Sequence, residues 1–254
     1  MARPAFSFVR DFEPAPTRRL CVDRHYLLCA RRGALRLEVD GTTWSLPPAR
    51  AALIRAGIAI EVSIPQPVTT SSVLFCTDFT PPPPSSLVVL DLTPLARSLI
   101  AECARWGDED APLDDYALAM FRALAQATWA LAERPSPASM PTGRSAEVRR
   151  AIEITAERLA HDPRFDEIAR EVGLAPRSLA RRFSDELGMT WRASLRRLRL
   201  LRSIELLAGT DRPVTQIAMD VGYDSPSAFN AAFRDLIGQT PTAYRAGFSS
   251  LVSD

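Results

Sequence analysis

A helix–glycine–helix unit occurs twice in the C-terminal part of this 254-residue chain, and it limits the architecture more than any other feature. The first copy, FDEIAREVGLAPRSLARRFSDELG, begins at Phe165. Ile168, Ala169 and Val172 form the apolar stripe of a short helix, with Asp166 and Glu167 favourable at its positive end. Gly173 stands where a helix ends in a left-handed residue, and Pro176 suits the first turn of the next helix. That second helix buries Leu179, Phe183 and Leu187. In the second copy the same places hold Ile217, Ala218 and Val221, then Gly222, Ser225-Pro226, Phe229, Phe233 and Ile237. The offset is 49 up to the glycine and 50 after it, and Gly188 and Gly238 close the two copies. Helix, tight turn, helix is the helix-turn-helix pattern. One such pair is common scaffolding; two in one chain argue for paired use.

Between them, Trp191 to Ala208 forms a helix with no internal Gly or Pro, spanning about 27 Å at ~1.5 Å per residue. Successive major grooves on one face of B-DNA lie about 34 Å apart. The connecting helix therefore has about the length needed to put two recognition helices into adjacent grooves.

Charge sharpens this reading. The net charge is +1, and all 31 basic residues are arginine. Neither half of the chain is basic: from Met140 onward there are 17 Arg against 15 acids. Locally, Arg177 to Arg202 holds eight arginines against Asp185 and Glu186, a patch that begins in the first copy. Four scattered cysteines (Cys21, Cys29, Cys76, Cys103) and two histidines (His25, His161) make no metal-ligand spacing, so reduced thiols and no metal are expected. With no apolar run long enough for a membrane span and no apolar leader core at the start, a cytoplasmic location and no membrane partner are expected.

The N-terminal third reads as strands. Leu35, Leu37 and Val39 alternate up to Asp40-Gly41, a pair suited to a type I′ turn, and Trp44 and Leu46 follow on the return strand. Ile58, Ile60, Val62 and Ile64 alternate again, and SSVLFCTDF is a further strand. This pattern suggests an antiparallel barrel or sandwich, with PPPP at 81–84 ending the strand region. Thr93-Pro94 opens a helix ending near Gly107, and a second helix runs from about Asp114 to Glu133 with Ala117, Phe121, Leu124, Thr128 and Leu131 on one stripe. That stripe suits either a homodimer contact or packing on the barrel. RPSPASMPTGRS, 134–145, reads as a linker. The domains expected are 1–136, a linker at 137–145, and a helical domain at 146–250.

From about Arg149 to Phe248 the chain resembles the DNA-binding domain of the AraC/XylS family of bacterial transcription regulators. Ile217, Ala218, Val221-Gly222-Tyr223, Phe229, Phe233, Gly238, Thr240-Pro241 and Tyr244-Arg245 stand at family spacing. Arg199-Leu200, Ser203 and Leu206-Leu207 are similar to the family's connecting helix, with serine where a small alanine is usual. More loosely, the N-terminal strands are similar to the cupin-like barrel in which many of these regulators bind an effector. The implied fold is α+β: an antiparallel cupin-like β-barrel with helices, then an all-α domain of two helix-turn-helix units joined by a long helix. Ile60 stands where relatives often place a histidine, which implies a metal-free barrel without cofactor.

The resemblance implies base contacts near the start of the first recognition helix, at Arg177, Ser178 and Arg181, where arginine can pair bidentately with guanine. Arg182, Arg196 and Arg197 are expected to meet phosphates or the protein's own acids. The second recognition helix offers Ser227, Asn230, Ala231 and Arg234, fewer charges and looser contact. Tyr26 and Trp44 are the candidate effector contacts in the barrel. Double-stranded DNA, a small-molecule effector, RNA polymerase for an activator, and a second copy of the chain are the implied partners. Three functions remain: an effector-controlled regulator, an effector-independent architectural DNA-binding protein, and a cupin-type enzyme, for which no nucleophile–base pair or metal-ligand set stands out.

Overall fold

A computed structural model describes residues 3–107 and 112–249. Its contacts divide the chain into two units, Met1–Val39, Ser45–Ser136 and Ala246–Asp254 in one, and Asp40–Trp44 with Pro137–Arg245 in the other.

The strands are β1 (Ala5–Phe12), β2 (Ala15–Cys21), β3 (His25–Arg32), β4 (Leu35–Val39), β5 (Thr42–Leu46), β6 (Arg50–Ile54), β7 (Ala59–Ile64), β8 (Val68–Phe75) and β9 (Leu87–Asp91), all of the first unit except the start of β5. They form two antiparallel sheets, not one closed ring: β1-β8-β3-β6-β9, and β5-β4-β7-β2 extended at its β5 edge by the short strand β10 (Met140–Pro141). The Asp40-Gly41 turn has φ of 48° and 70°, the two left-handed residues a type I′ hairpin needs. The four prolines do not end the strand region. They form an extended loop, and β9 follows to pair with β6, Arg50 opposite Asp91. Proline bars its own residues from donating to a ladder, but it does not prevent a strand three residues on.

Helices α1 (Pro94–Cys103) and α2 (Asp115–Ala132) start at side-chain caps, Thr93 Oγ1 accepting from Ala96 N and Asp114 Oδ1 from Ala117 N. Alternation on the first sheet puts Leu27, Leu53, Val73 and Phe75 on the face that packs with Ile100, Phe121 and Leu124. Phe121 is fully buried, its ring edge-on to Phe75 at 6.4 Å. The α2 stripe therefore packs inward and does not serve as a homodimer contact. All four cysteines are free, and burial pushes the Cys29 and Cys103 thiols up to about 12.

The second unit is helical: α3 (Ala146–Glu157), α4 (Phe165–Glu171), α5 (Pro176–Leu187), α6 (Trp191–Gly209), α7 (Val214–Asp220), α8 (Pro226–Ile237) and, as far as Arg245, α9 (Pro241–Ser249). Pairs α4–α5 and α7–α8 are the repeated units and α6 joins them. Their cores follow the sequence stripes: Ile168, Leu179 and Phe183 in the first, Ile217, Phe229 and Phe233 in the second, all fully buried.

Candidate nucleic-acid interface

The two turns are built alike. Leu174 N donates to Ala169 O at 2.9 Å, and Tyr223 N donates to Ala218 O at 2.9 Å, closing the ends of α4 and α7. Gly173 and Gly222 sit inside these closures at φ of 73° and 88°. Only the second is also crowded. A Cβ on Gly222 would lie 2.3 Å from Leu159 O and 2.7 Å from Arg199 Nη2, whereas one on Gly173 would meet nothing within 4 Å. Arg199, on α6 and mostly buried, thus presses its guanidinium against the second turn while its Nη2 stands 3.6 Å from Asp162.

The offset of 50 makes recognition helices α5 and α8 comparable position by position. In each, three exposed residues at i, i+4 and i+7 form one outward stripe: Arg177, Arg181 and Ser184 on α5, Ser227, Ala231 and Arg234 on α8. The outward stripe of the first copy is mainly arginine, and that of the second mainly small. Ser178 and Asn230 are half-buried at the margins of these stripes.

Free and engaged arginines separate cleanly within the basic patch. Arg182 Nη1 stands 2.9 Å from Glu147 Oε2, Arg196 Nη2 2.9 Å from Asp235 Oδ2, and Arg202 Nη1 2.7 Å from Glu205 Oε2. Arg197 makes no ion pair with an acid among the described residues. Its guanidinium donates to the main-chain carbonyls of Ser139 and Pro137, and burial lowers its pKa from the ordinary value. Its stem sits on a half-buried face of α6, a fact that charge counting along the sequence does not register. Among the described residues Arg177, Arg181, Arg192 and Arg234 are exposed and make no ion pair or hydrogen bond through the side chain. Cations held free of internal partners are available to phosphates or base edges.

Sequence reasoning missed Arg192. It stands two residues after Thr190, whose Oγ1 accepts from Ala193 N to cap α6. Thr240 caps α9 in the same way, accepting from Ala243 N. A threonine followed by a helix start after each closing glycine is a repeated signal, and a capped helix N-terminus beside a free arginine suits a phosphate.

The barrel candidates fare differently. Tyr26 is buried on β3 with its hydroxyl 2.8 Å from Ser72 Oγ, and burial pushes its pKa up to about 12. Trp44 is half-buried on β5 and groups with the second unit, so the two aromatics belong to different bodies.

A family model described as a helix-turn-helix domain matches residues 168–247. The transcriptional regulator NimR of Escherichia coli is 26% identical over 231 residues, covering 89% of this chain and 81% of that protein. The transcriptional activator RhaS of Klebsiella pneumoniae is 26% identical over 156 residues, covering 61% of this chain and 55% of that protein. The chain thus spans little more than half of the length of RhaS. Among solved structures, an AraC-type DNA-binding domain protein from Chromobacterium violaceum is 28% identical, with a TM-score of 0.40, over 41% of this chain and 94% of that one. Both recognition helices, both glycine turns and the connecting helix fall inside the matched region, over which the chain is similar to helix-turn-helix transcription regulators.

Proposed function

We propose that the second unit binds double-stranded DNA with α5 and α8 in successive major grooves, that α5 reads the sequence, and that α8 mainly anchors. The observation carrying this division is the outward stripe: two free arginines on α5 stand where α8 has Ser227 and Ala231. Arginine on a recognition helix can pair bidentately with guanine, and one such pair discriminates by about 1–3 kcal/mol. Arg234 and Arg192 are assigned to phosphates, which position the protein without specifying sequence.

The test is a binding selection at one fixed salt concentration with wild type and Arg177→Ala, Arg181→Ala, Asn230→Ala and Arg234→Ala. Arg181→Ala is expected to weaken the preferred site by about 1–3 kcal/mol and relax base preference in one groove. Arg234→Ala is expected to weaken all sequences alike. A selection in which Asn230→Ala scrambles the recognised sequence while both α5 variants keep it reverses the assignment. Loss of all sequence preference in wild type itself would favour an architectural role.

The proposal extends to the first unit, which is assigned effector binding without metal or catalysis. Its support is the family's organisation and the separation of a two-sheet body from the helical one. Tyr26 is already hydrogen-bonded to Ser72, so an effector reaching it displaces or joins that pair. A ligand screen by thermal shift checks this. RhaS is named an activator; on that pattern RNA polymerase is the further partner, and sedimentation of the full chain decides whether a homodimer forms.

A further inference from the structure

The sequence reads 137–145 as a linker, and from Pro137 to Glu147 the chain is tied down along its length within the second unit. Arg197 on α6 holds the carbonyls of Pro137 and Ser139. Met140 and Pro141 pair with Thr43 and Thr42, and Thr142 N donates to Gly41 O at 2.8 Å. Gly143 then packs so closely that a Cβ there would lie 2.6 Å from Val148 Cγ1.

The last part of this strap is fastened to the recognition helix itself. Ser145 N donates to Glu186 Oε2 at 2.8 Å and the Ser145 hydroxyl reaches Glu186 Oε1 at 2.7 Å, while the same hydroxyl accepts from Val148 N to cap α3. Arg144 Nη2 donates to Asp185 O at 3.1 Å, and Glu147 pairs with Arg182 at 2.9 Å. Burial raises the Glu186 pKa, but hydrogen bonds from Ser145 and Arg144 outweigh it and leave the carboxyl below its ordinary value, an ionised acceptor.

Arg182 and Glu186 are four apart on α5, about 140–180° around the helix from Arg177 at 3.6 residues per turn. They therefore lie away from the outward arginine stripe. In α8 the corresponding positions are Ala232, buried, and Leu236, half-buried. The charged pair is specific to the copy that the strap touches. An α5 without a strap would have as little use for these charges as α8 has.

We propose that Glu186, with Arg182, is a positioning residue for sequence reading: it fixes the pose of α5 by bolting it to the strap, so that the segment entering the DNA-binding unit sets how the reading helix presents its arginines. This rests on the assignment of α5 as the reading helix. A displacement of the strap would then change recognition in one groove and not in the other.

The experiment uses the full chain and a DNA selection, with Glu186→Ala, Glu186→Gln and the control Arg181→Ala. Glu186→Ala is expected to lose about tenfold on the preferred site, the scale of lost charged hydrogen bonds. Base preference should flatten only under α5, and affinity for unrelated DNA should stay unchanged. Glutamine can accept from Ser145 N and donate to its hydroxyl, so Glu186→Gln should recover most of the loss. Wild-type preference in a folded Glu186→Ala protein overturns the proposal, as does a Gln variant as damaged as the Ala variant. Should circular dichroism show Glu186→Ala unfolded, the half-buried Glu147→Ala is read the same way: flattening under α5 supports the proposal and an unchanged profile overturns it. An Arg181→Ala protein with intact preference would instead sink the reading-helix assignment.

Discussion

The two helix-turn-helix copies share turn, stripe and spacing, but they differ in what fixes them and in what they show to solvent. The first is held by side chains reaching from outside the copy: Glu147 and Ser145 on α5, the Phe165–Trp191 ring contact at 5.1 Å, and the Arg158–Glu171 pair at 2.6 Å. The second has one such exposed pair, Arg196 with Asp235, and is otherwise held by close packing: Arg199 against Gly222, and Tyr244 edge-on to Phe233 at 5.5 Å. Arg245 adds a bond to Arg212 O at 2.5 Å. Polar fastening leaves a helix adjustable, because each bond exchanges with water at little net cost. Close packing permits no such adjustment, since filled volume resists displacement. The copy with two free arginines on its recognition helix is thus the more adjustable one.

The largest effect that tests this contrast is at the glycines. Gly222→Ala combines a left-handed φ, about 1–2 kcal/mol for an alanine, with overpacking against Leu159 O and Arg199, about 1–3 kcal/mol more. Gly173→Ala meets only the first cost. Urea unfolding of the two variants should show Gly222→Ala the worse by about 1 kcal/mol or more, the size of the overpacking cost. Equal losses would mean that Arg199 yields freely, and the second copy would not be the rigid one.

A smaller effect separates free from engaged arginines. Each phosphate neutralised contributes about −0.9 to the slope of log affinity against log salt. Arg192→Ala and Arg234→Ala should each make the slope shallower by roughly that amount, while Arg182→Ala and Arg196→Ala, paired with Glu147 and Asp235, should leave it nearly unchanged. A shallower slope for Arg182→Ala would show that DNA pulls it from Glu147, and the strap would then open on binding.

Much of this was legible in the sequence because it is local. The Asp40-Gly41 turn, the Thr93 and Asp114 caps, the α2 limits and both glycine turns follow from residues within a few positions of each other. What was not legible depends on long-range placement. The strand β9 after the prolines is held by pairing with β6, and the inward direction of the Phe121 stripe is set by Phe75, 46 positions away. Charge counting could find the arginine patch but could not sort it, since Arg182 finds Glu147 and Arg197 finds the carbonyls of 137 and 139 only once the helices are packed.

The smallest effect concerns how each recognition helix begins. Ser225 caps α8, its hydroxyl accepting from Ala228 N at 3.2 Å, whereas the matching residue before α5 is Ala175, with no side-chain cap. Both have extended backbone, Ala175 at φ −66° and ψ 144°, so a serine fits there without strain. A side-chain oxygen satisfies one of the free N–H groups of the first turn, worth about 0.5–2 kcal/mol. Ala175→Ser should therefore stabilise the first copy, and Ser225→Ala should destabilise the second by a similar amount of about 1 kcal/mol. Hydrogen exchange at the first-turn amides of α5 and α8 reads each copy separately, which a global melt would not. If the uncapped start is part of what keeps α5 adjustable, Ala175→Ser should also slow exchange there while narrowing the range of DNA sequences bound. Slower exchange with an unaltered selection profile would show that the looseness of the first copy resides in its strap contacts and not in its first turn.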